Sequence, residues 1–428
     1  MTHWIDEAHE VIHRCRELAG HTERPGCITR TFLSPPMHRV HGLLEQWMEA
    51  AGMSPRLDAA GNLRGLRPGS MSDSAVLYLG SHIDTVPDAG AFDGVLGVVL
   101  AIALVKALGE HPLPFAIEVL AFSEEEGVRF GVPFIGSRAV AGTIDSDLLN
   151  RLDSAGITVA QAIRDFGLDP AGLPAAKLPA ATLGYLEFHI EQGAVLEDLD
   201  LPLGVVTSIA GQSRFELLFT GQANHAGTTP GGRRRDALAG AAEWIGCVER
   251  EAATAPDLRA TVGQLEVRPG TSNVIPASVY ATLDLRHALD SVRSEAAASL
   301  LDSGNRIARR RGLNFHSEQR LDQPATPLDP ELISALERAV TRSGSPVHRM
   351  VSGAGHDAMI MARSCPAAML FLRSPGGVSH QREESVLPED VASALAAGAE
   401  FLKEAESIYA EVGSSRWNGG YAGRSTFH

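Results

Sequence analysis

Between Met37 and Ala51 apolar side chains recur at helical spacing: Val40, Leu43, Leu44, Trp47, Met48 and Ala51 share one face, and Gly52 supplies the stop. The pattern predicts an amphipathic helix lying on a larger body. From Ala75 the period shortens to a β-type run, Val76-Leu77-Tyr78-Leu79, which ends in Gly80-Ser81-His82-Ile83-Asp84. After a polar loop, Val95 to Leu108 is apolar apart from Lys106 and reads as a buried helix, and Ile117 to Phe122 reads as the next strand. Strand, buried helix and strand make a βαβ crossover, so the sheet is expected to be parallel or mixed and covered by helices. Signals are weak from Thr143 to Thr182, and then a further strand, Tyr185 to Ile190, again stops at polar residues.

The pattern changes near Gly211. Strand Arg214 to Thr220, helix Asp236 to Arg250, strand Arg259 to Val267, strand Ser278 to Arg286, helix Ser291 to Arg311 and strand Leu313 to Ser317 follow one another. That β-α-β-β-α-β order is ferredoxin-like and closes on a compact α+β unit of its own. Gln323-Pro324-Ala325-Thr326-Pro327 is a linker; Asp329-Pro330 then starts a helix running to Arg342, and strand Ala367 to Leu372 and helix Pro388 to Ala405 return to the first pattern. The expectation is a discontinuous α/β domain, residues 1–210 and 326–428, with a second domain, 211–325, between its halves and hinges near Gly211 and Pro324 to Pro327. The Gly/Ser/Arg-rich end after Val412 is expected to fray unless it docks on a neighbour.

Length agrees with two domains, since 428 residues exceed the size at which one core stops growing. Charge narrows the partners. With 37 basic and 52 acidic side chains the net is −15, and no basic stripe is visible apart from Arg233-Arg234-Arg235. Nucleic acid is therefore not an expected partner, and the three arginines are read as a local anion or carboxylate contact. Val95 to Leu108 is too short to cross a bilayer, which needs roughly 20 apolar residues, and the start of the chain, with Asp6, Glu7 and Glu10, does not resemble a secretory leader. Cys15, Cys27, Cys247 and Cys365 are scattered, without Cys-x-x-Cys spacing, which predicts a reducing, cytoplasmic setting.

The chemistry sits at the ends of the large domain's strands. There stand His82 with Asp84, Asp93 in Phe92-Asp93-Gly94, Glu124-Glu125-Glu126-Gly127, His189 with Glu191, and His380. In open α/β sheets ligands bind beyond the carboxyl ends of strands. Imidazoles and carboxylates without nearby cysteine suit an open, catalytic zinc or manganese site. Two cations about 3.5–4 Å apart need a bridging carboxylate and two further ligands each, a count met by His82, Asp93, Glu126, His189 and His380. Each alone has a plainer reading: a strand-end histidine is commonly just hydrogen-bonded, and three glutamates in a row suit a solvated helix start.

Several motifs together resemble the M20-type amidase family of hydantoinase/carbamoylase enzymes. They are Gly80-Ser81-His82-Ile83-Asp84-Thr85-Val86, Phe92-Asp93-Gly94, Ser123 to Phe130, His189-Ile190-Glu191-Gln192-Gly193, Ala223-Asn224-His225-Ala226-Gly227-Thr228-Thr229-Pro230, Asn273-Val274-Ile275-Pro276 and Ser352-Gly353-Ala354-Gly355-His356-Asp357. The resemblance runs from about Phe32 to about Phe401, with the motifs in the family's order. It implies a metallopeptidase-like catalytic domain and an inserted lid that also dimerises. It implies two divalent ions per subunit, zinc or manganese with cobalt or nickel as alternatives: His82, Asp93 and His189 on one, Asp93, Glu126 and His380 on the other. Asp84 would orient His82, and Glu125, counted back from Gly127, would be the general base, taking a proton from the attacking water and passing it to the departing amine. The plain alternative makes Glu124 the base.

By the same resemblance His225 would donate to the oxyanion, or else simply be satisfied in its turn. Asn273 and Arg286 would clamp the substrate carboxylate, and Gln192 would bond the ureido group; His356 lies near the site without an assigned role. Family members often carry proline soon after the last histidine, where this chain has Gln381-Arg382, so the His380 loop is expected to be more mobile or to use Arg382 in a pairing of its own. Thr31 to Pro36, Asp88-Ala89-Gly90, Ala121-Phe122 and Met359 look closest to allantoate amidohydrolases. The expected activity is metal-dependent hydrolysis of a linear carbamoyl or ureido C–N bond of a small carboxylate, allantoate first. N-carbamoyl-L-amino acid hydrolase or β-ureidopropionase is the alternative, and a metal-free binding protein on the same scaffold the remaining one. The expected partners are the small-molecule substrate and a second copy of the chain.

Overall fold

The apolar run from Val95 forms the helix Val95–Ala107, and every residue from Val95 to Val105 is buried. Such a helix has no polar face because sheet and helices enclose it on all sides. A computed structural model describes residues 4–71, 75–179 and 182–412; the end after Val412, expected to fray, lies outside them. The chain divides into two compact units, 1–207 with 328–350 and 356–428, and 208–327 with 351–355.

In the larger unit the strands lie in the order Ser54–Leu57, Leu63–Arg67, Ala116–Phe122, Val76–His82, Thr182–Ile190, Ala367–Leu372 and Leu203–Ile209. The middle four are mutually parallel and the strands on either side pair antiparallel. The sheet is thus mixed and mostly parallel at its centre, and the central strands read as continuous apolar runs because both faces are covered. Register puts their carboxyl ends level: His82 pairs with Phe122, Phe371 with His189, and Leu79 with Leu186, three residues before His82 and His189. Gly97 lets the helix sit directly on the sheet, since a Cβ there would stand 2.1 Å from the carbonyl oxygen of Phe188. Helices Trp4–Ala19, Pro330–Arg342 and Pro388–Val412 complete the cover. The first of these, in a stretch read above for its charge and for Cys15 but not as a helix, buries Ala8, Val11, Ile12, Cys15 and Leu18. Among the described residues no helix is long and apolar enough to cross a membrane.

The smaller unit is a sheet in the order Asn314–Gln323, Gly211–Thr220, Ser278–His287, with Arg259–Thr261 and Leu265–Arg268 both on the far side of the last. All its pairings are antiparallel. Helices Ala237–Thr254 and Asp290–Arg311 supply Trp244, Val248 and Leu300 to a core shared with Phe215, Phe219 and Leu283 of the strands. Strand order last, first, third, second is the ferredoxin-like arrangement. The strand expected over Arg259 to Val267 is in two pieces, because Gln264 turns its N–H onto the Thr282 hydroxyl and interrupts the ladder.

Candidate metal centre

Level strand ends bring the larger unit's polar residues to one place. His82 closes its strand, and Asp93 precedes Gly94, whose φ of +66° starts the buried helix; a Cβ on Gly94 would lie 2.4 Å from the His82 ring. The Nδ1 of His82 lies 3.1 Å from the Asp84 carbonyl oxygen and 3.4 Å from the Asp84 carboxylate. The Nδ1 of His189 lies 2.9 Å from the Ile190 carbonyl. Carbonyls only accept, so in each neutral ring the hydrogen is on Nδ1 and Nε2 presents a lone pair. The two Nε2 atoms are 3.4 Å apart. Asp93 Oδ1 is 3.2 Å from one and 3.7 Å from the other and accepts no hydrogen bond. Three buried acceptors facing one another repel unless positive charge lies between them, which is what a cation site looks like from its donor atoms.

The electrostatics carry the same demand. Burial pushes the His82 imidazole down, but Asp84, Glu125 and Asp93 lift it well above the usual value. Burial pushes Asp93 up, and the imidazoles of His189 and His380 outweigh it and hold the carboxyl well below its ordinary range.

Asp93 Oδ2 faces a second set. His380 Nε2 stands 3.1 Å from it and 3.7 Å from Glu126 Oε1, so Asp93 turns one oxygen to each group. His380 sits in a left-handed conformation, φ 57°, on a half-exposed loop. That loop does use Arg382 in a pairing: its Nε is 2.7 Å from Asp88 Oδ1. Gln192 donates its amide to Asp93 Oδ2 at 2.9 Å and comes within 3.3 Å of His380 Nε2, so it stands inside the second set.

The three glutamates separate by contact. Glu124 accepts the N–H of Gly127 on Oε1 at 2.6 Å and ties the turn. Asp84 accepts the N–H groups of Glu125 and Glu126 at 2.9 and 3.2 Å, so its carboxylate holds this loop as well as facing His82. Glu125 is buried with a carboxylate oxygen in reach of His82 and Glu126; burial lifts it well above the usual carboxylate range, with His82 pulling the other way. Burial, then Asp93, pushes Glu126 up to about 7. Glu191 turns away to take the N–H groups of Val195 and Leu196.

Behind the histidines lie residues that strand-end reasoning passed over. Glu187, fully buried, accepts from Ser81 Oγ and the Ala358 N–H, and with His189 and His356 it forms a further cluster of ligand-type atoms. The signal was a charged side chain inside an apolar strand, two residues before His189 and so on its face. His356 sets its ring edge-on to His189, centroids 4.5 Å apart; burial, then the His189 charge, holds it well below its usual value.

His225, Asn273 and Arg286 belong to the smaller unit. His225 is exposed, and its Nδ1 accepts the Gly227 N–H at 3.1 Å, which leaves the hydrogen on Nε2 as an outward donor. Asn273 is next to it: the Ala226 N–H bonds the Asn273 carbonyl, and His225 bridges Val274. The Arg286 fork is already engaged by Asp284 and by the Gly353 carbonyl, leaving two of its five N–H groups. Arg234, expected to meet an anion, instead bonds the carbonyls of Thr229 and Ala226 and braces the His225 loop.

Residues 78–404 match the model of peptidase family M20/M25/M40. The N-carbamoyl-L-amino acid amidohydrolase of Geobacillus stearothermophilus is 41% identical, over 91% of this chain and 95% of that protein. The allantoate deiminase of Arabidopsis thaliana is 38% identical, over 92% and 82%. A crystal structure of an amidase of the hydantoinase/carbamoylase family from Burkholderia multivorans superposes with a TM-score of 0.87 at 34% identity, covering 93% of this chain and 98% of that one.

Proposed function

The chain belongs to peptidase family M20/M25/M40, and from that premise we propose that it hydrolyses the carbamoyl C–N bond of allantoate, giving ureidoglycine, ammonia and carbon dioxide. It is an amidohydrolase. The observation that carries the reading is the meeting of His82 Nε2, His189 Nε2 and Asp93 Oδ1 as three buried acceptors, with Glu125 beside them. His82, Asp93 and His189 would hold one divalent ion, and Asp93, Glu126 and His380 a second. Nitrogen and carboxylate donors without thiolate fit zinc or manganese, and also cobalt or nickel. Ions bound there supply Lewis acidity, acidifying a water and polarising the scissile carbonyl.

The chain's own groups do the rest. Asp84 fixes the His82 ring and the backbone of Glu125 at once. Glu125 takes the proton of the attacking water on its carboxylate and passes it to the departing amine. Gln192 has an amide oxygen, buried and without a partner, that can accept from the ureido N–H. We assign the Nε2–H of His225 to the oxyanion, and Asn273 with the two remaining donors of Arg286 to the substrate carboxylate. Two copies would pair through the smaller unit. The four free cysteines suit a cytoplasmic protein.

The N-carbamoyl-L-amino acid amidohydrolase at 41% identity favours a second reading, in which an apolar side chain replaces the second ureido group. Ammonia release from allantoate and from a panel of N-carbamoyl-L-amino acids, with zinc or manganese supplied, separates the two. Faster turnover of allantoate is expected; its absence beside brisk carbamoyl hydrolysis would give the second reading the place of the first.

A further inference from the structure

Glu384 lies four residues beyond His380 and is 5% exposed. Its Oε1 accepts two backbone N–H groups, Phe92 at 2.8 Å and Asp93 at 3.0 Å, and its Oε2 accepts the Ser379 hydroxyl at 3.3 Å. In the same geometry the Ser379 hydroxyl lies 3.1 Å from Asp93 Oδ2. The approach is tight: a Cβ on Gly90 would stand 2.3 Å from the Glu384 carboxylate, so the loop that leads to Asp93 is laid directly on this side chain. The Ser379 hydroxyl and the Gln192 amide also touch Asp93, and Gln192 touches His380, but these contacts do not fix the main chain on either side. Asp93 and His380 are far apart along the chain, His380 holds a left-handed φ of 57° that disfavours side chains, and no proline follows it within the next few residues. The Arg382 to Asp88 pair also joins the two loops, but both partners are more than half exposed, and such pairs hold little.

We propose that Glu384 is a positioning residue for the second metal site. Its buried carboxylate holds the main chain at Phe92 and Asp93 by two hydrogen bonds and, through Ser379, the loop of His380, so that Asp93 Oδ2 and His380 Nε2 meet at one ion. The inference rests on the two-ion reading above.

The test is metal titration of the full-length apo-protein with Mn²⁺ or Zn²⁺ by calorimetry, with ion content after dialysis and thermal melting alongside. Wild type is expected to bind two ions. Glu384→Ala should retain one and bind the other roughly 10–100-fold more weakly. Glu384→Gln should recover most of the loss, because an amide oxygen accepts both N–H groups and the amide nitrogen can donate to Ser379. Glu384→Asp, whose carboxylate is one carbon too short to reach both loops, should weaken the same ion by a smaller factor; it stands in if Glu384→Ala does not fold. Two ions bound with wild-type constants in Glu384→Ala, or in Glu384→Asp as its stand-in, overturn the inference. A Glu384→Gln as weak as the alanine variant also overturns it, since charge and not hydrogen bonding would then be what matters. Wild type binding fewer than two ions overturns the two-ion reading and this inference with it.

Discussion

Glu124, Glu125 and Glu126 are identical side chains in a row with three different surroundings. Glu124 closes the turn on Gly127, Glu126 looks toward His380, and Glu125 is left beside His82 with no structural bond to keep it. Counting back from Gly127, as the family resemblance implies, points to Glu125, and the bond from Gly127 to Glu124 Oε1 is consistent with that choice. Glu125→Gln is isosteric and cannot take a proton, so kcat should fall by about 10²–10⁴-fold, with KM and metal content near wild type. Steady-state ammonia release and metal analysis check this, and undiminished turnover would place the base elsewhere. Asp84 shows the same limit of local reading: its spacing from His82 suggested one contact, whereas its carboxylate also holds the backbone of Glu125 and Glu126.

Elements with strong periodicity were legible, and those made by their neighbours were not. Helix Val95–Ala107 and strands Val76–His82 and Ala116–Phe122 follow from apolar runs. Strands Ser54–Leu57 and Leu63–Arg67 carry Arg56, Arg64 and Arg67 and show no apolar run to mark them. Arg64 is nonetheless buried, because Glu118 on the adjoining strand meets its guanidinium at 3.0 and 2.7 Å. A buried charge is tolerated only with such a partner, and the partner is 54 residues away. The helix that bears on the site also bears on stability: Gly97→Ala pushes a methyl into the Phe188 carbonyl. Overpacking of this kind costs about 1–3 kcal/mol, to be read from the urea midpoint, and the shift should reach His189, the next residue after Phe188, as weaker metal binding. An unchanged midpoint would mean that helix and strand can separate freely.

At the scale of the whole molecule, the chain folds as two compact units and carries a net charge of −15. Much of that charge that matters is local: Asp93, Glu125, Glu126 and Asp84 are gathered at one sheet end, where bound cations would offset them. Removing those ions should therefore destabilise the larger unit in particular. An ion at 100 times its Kd adds about 2.7 kcal/mol, which for a unit of this size corresponds to a fall of roughly 4 °C in Tm on chelation. Calorimetry with and without EDTA checks this, and the transition of the smaller unit should stay where it is; an unmoved larger unit would mean that the native state holds no ion. The sequence by itself determined the strong periodicities, the strands and helices they mark, and the fact that histidines and carboxylates stand where those strands end, because each of these is written within a few neighbouring residues. Only the tertiary structure decided that His82 and His189 are level across the sheet, that Gln192 reaches Asp93, and that Arg64 and Glu187 can be buried. It also decided that Glu384 takes the N–H groups of Asp93 and Phe92. The physical reason is that a hydrogen bond is satisfied by whichever group the fold brings within about 3 Å, and along the chain that group is tens to hundreds of residues away.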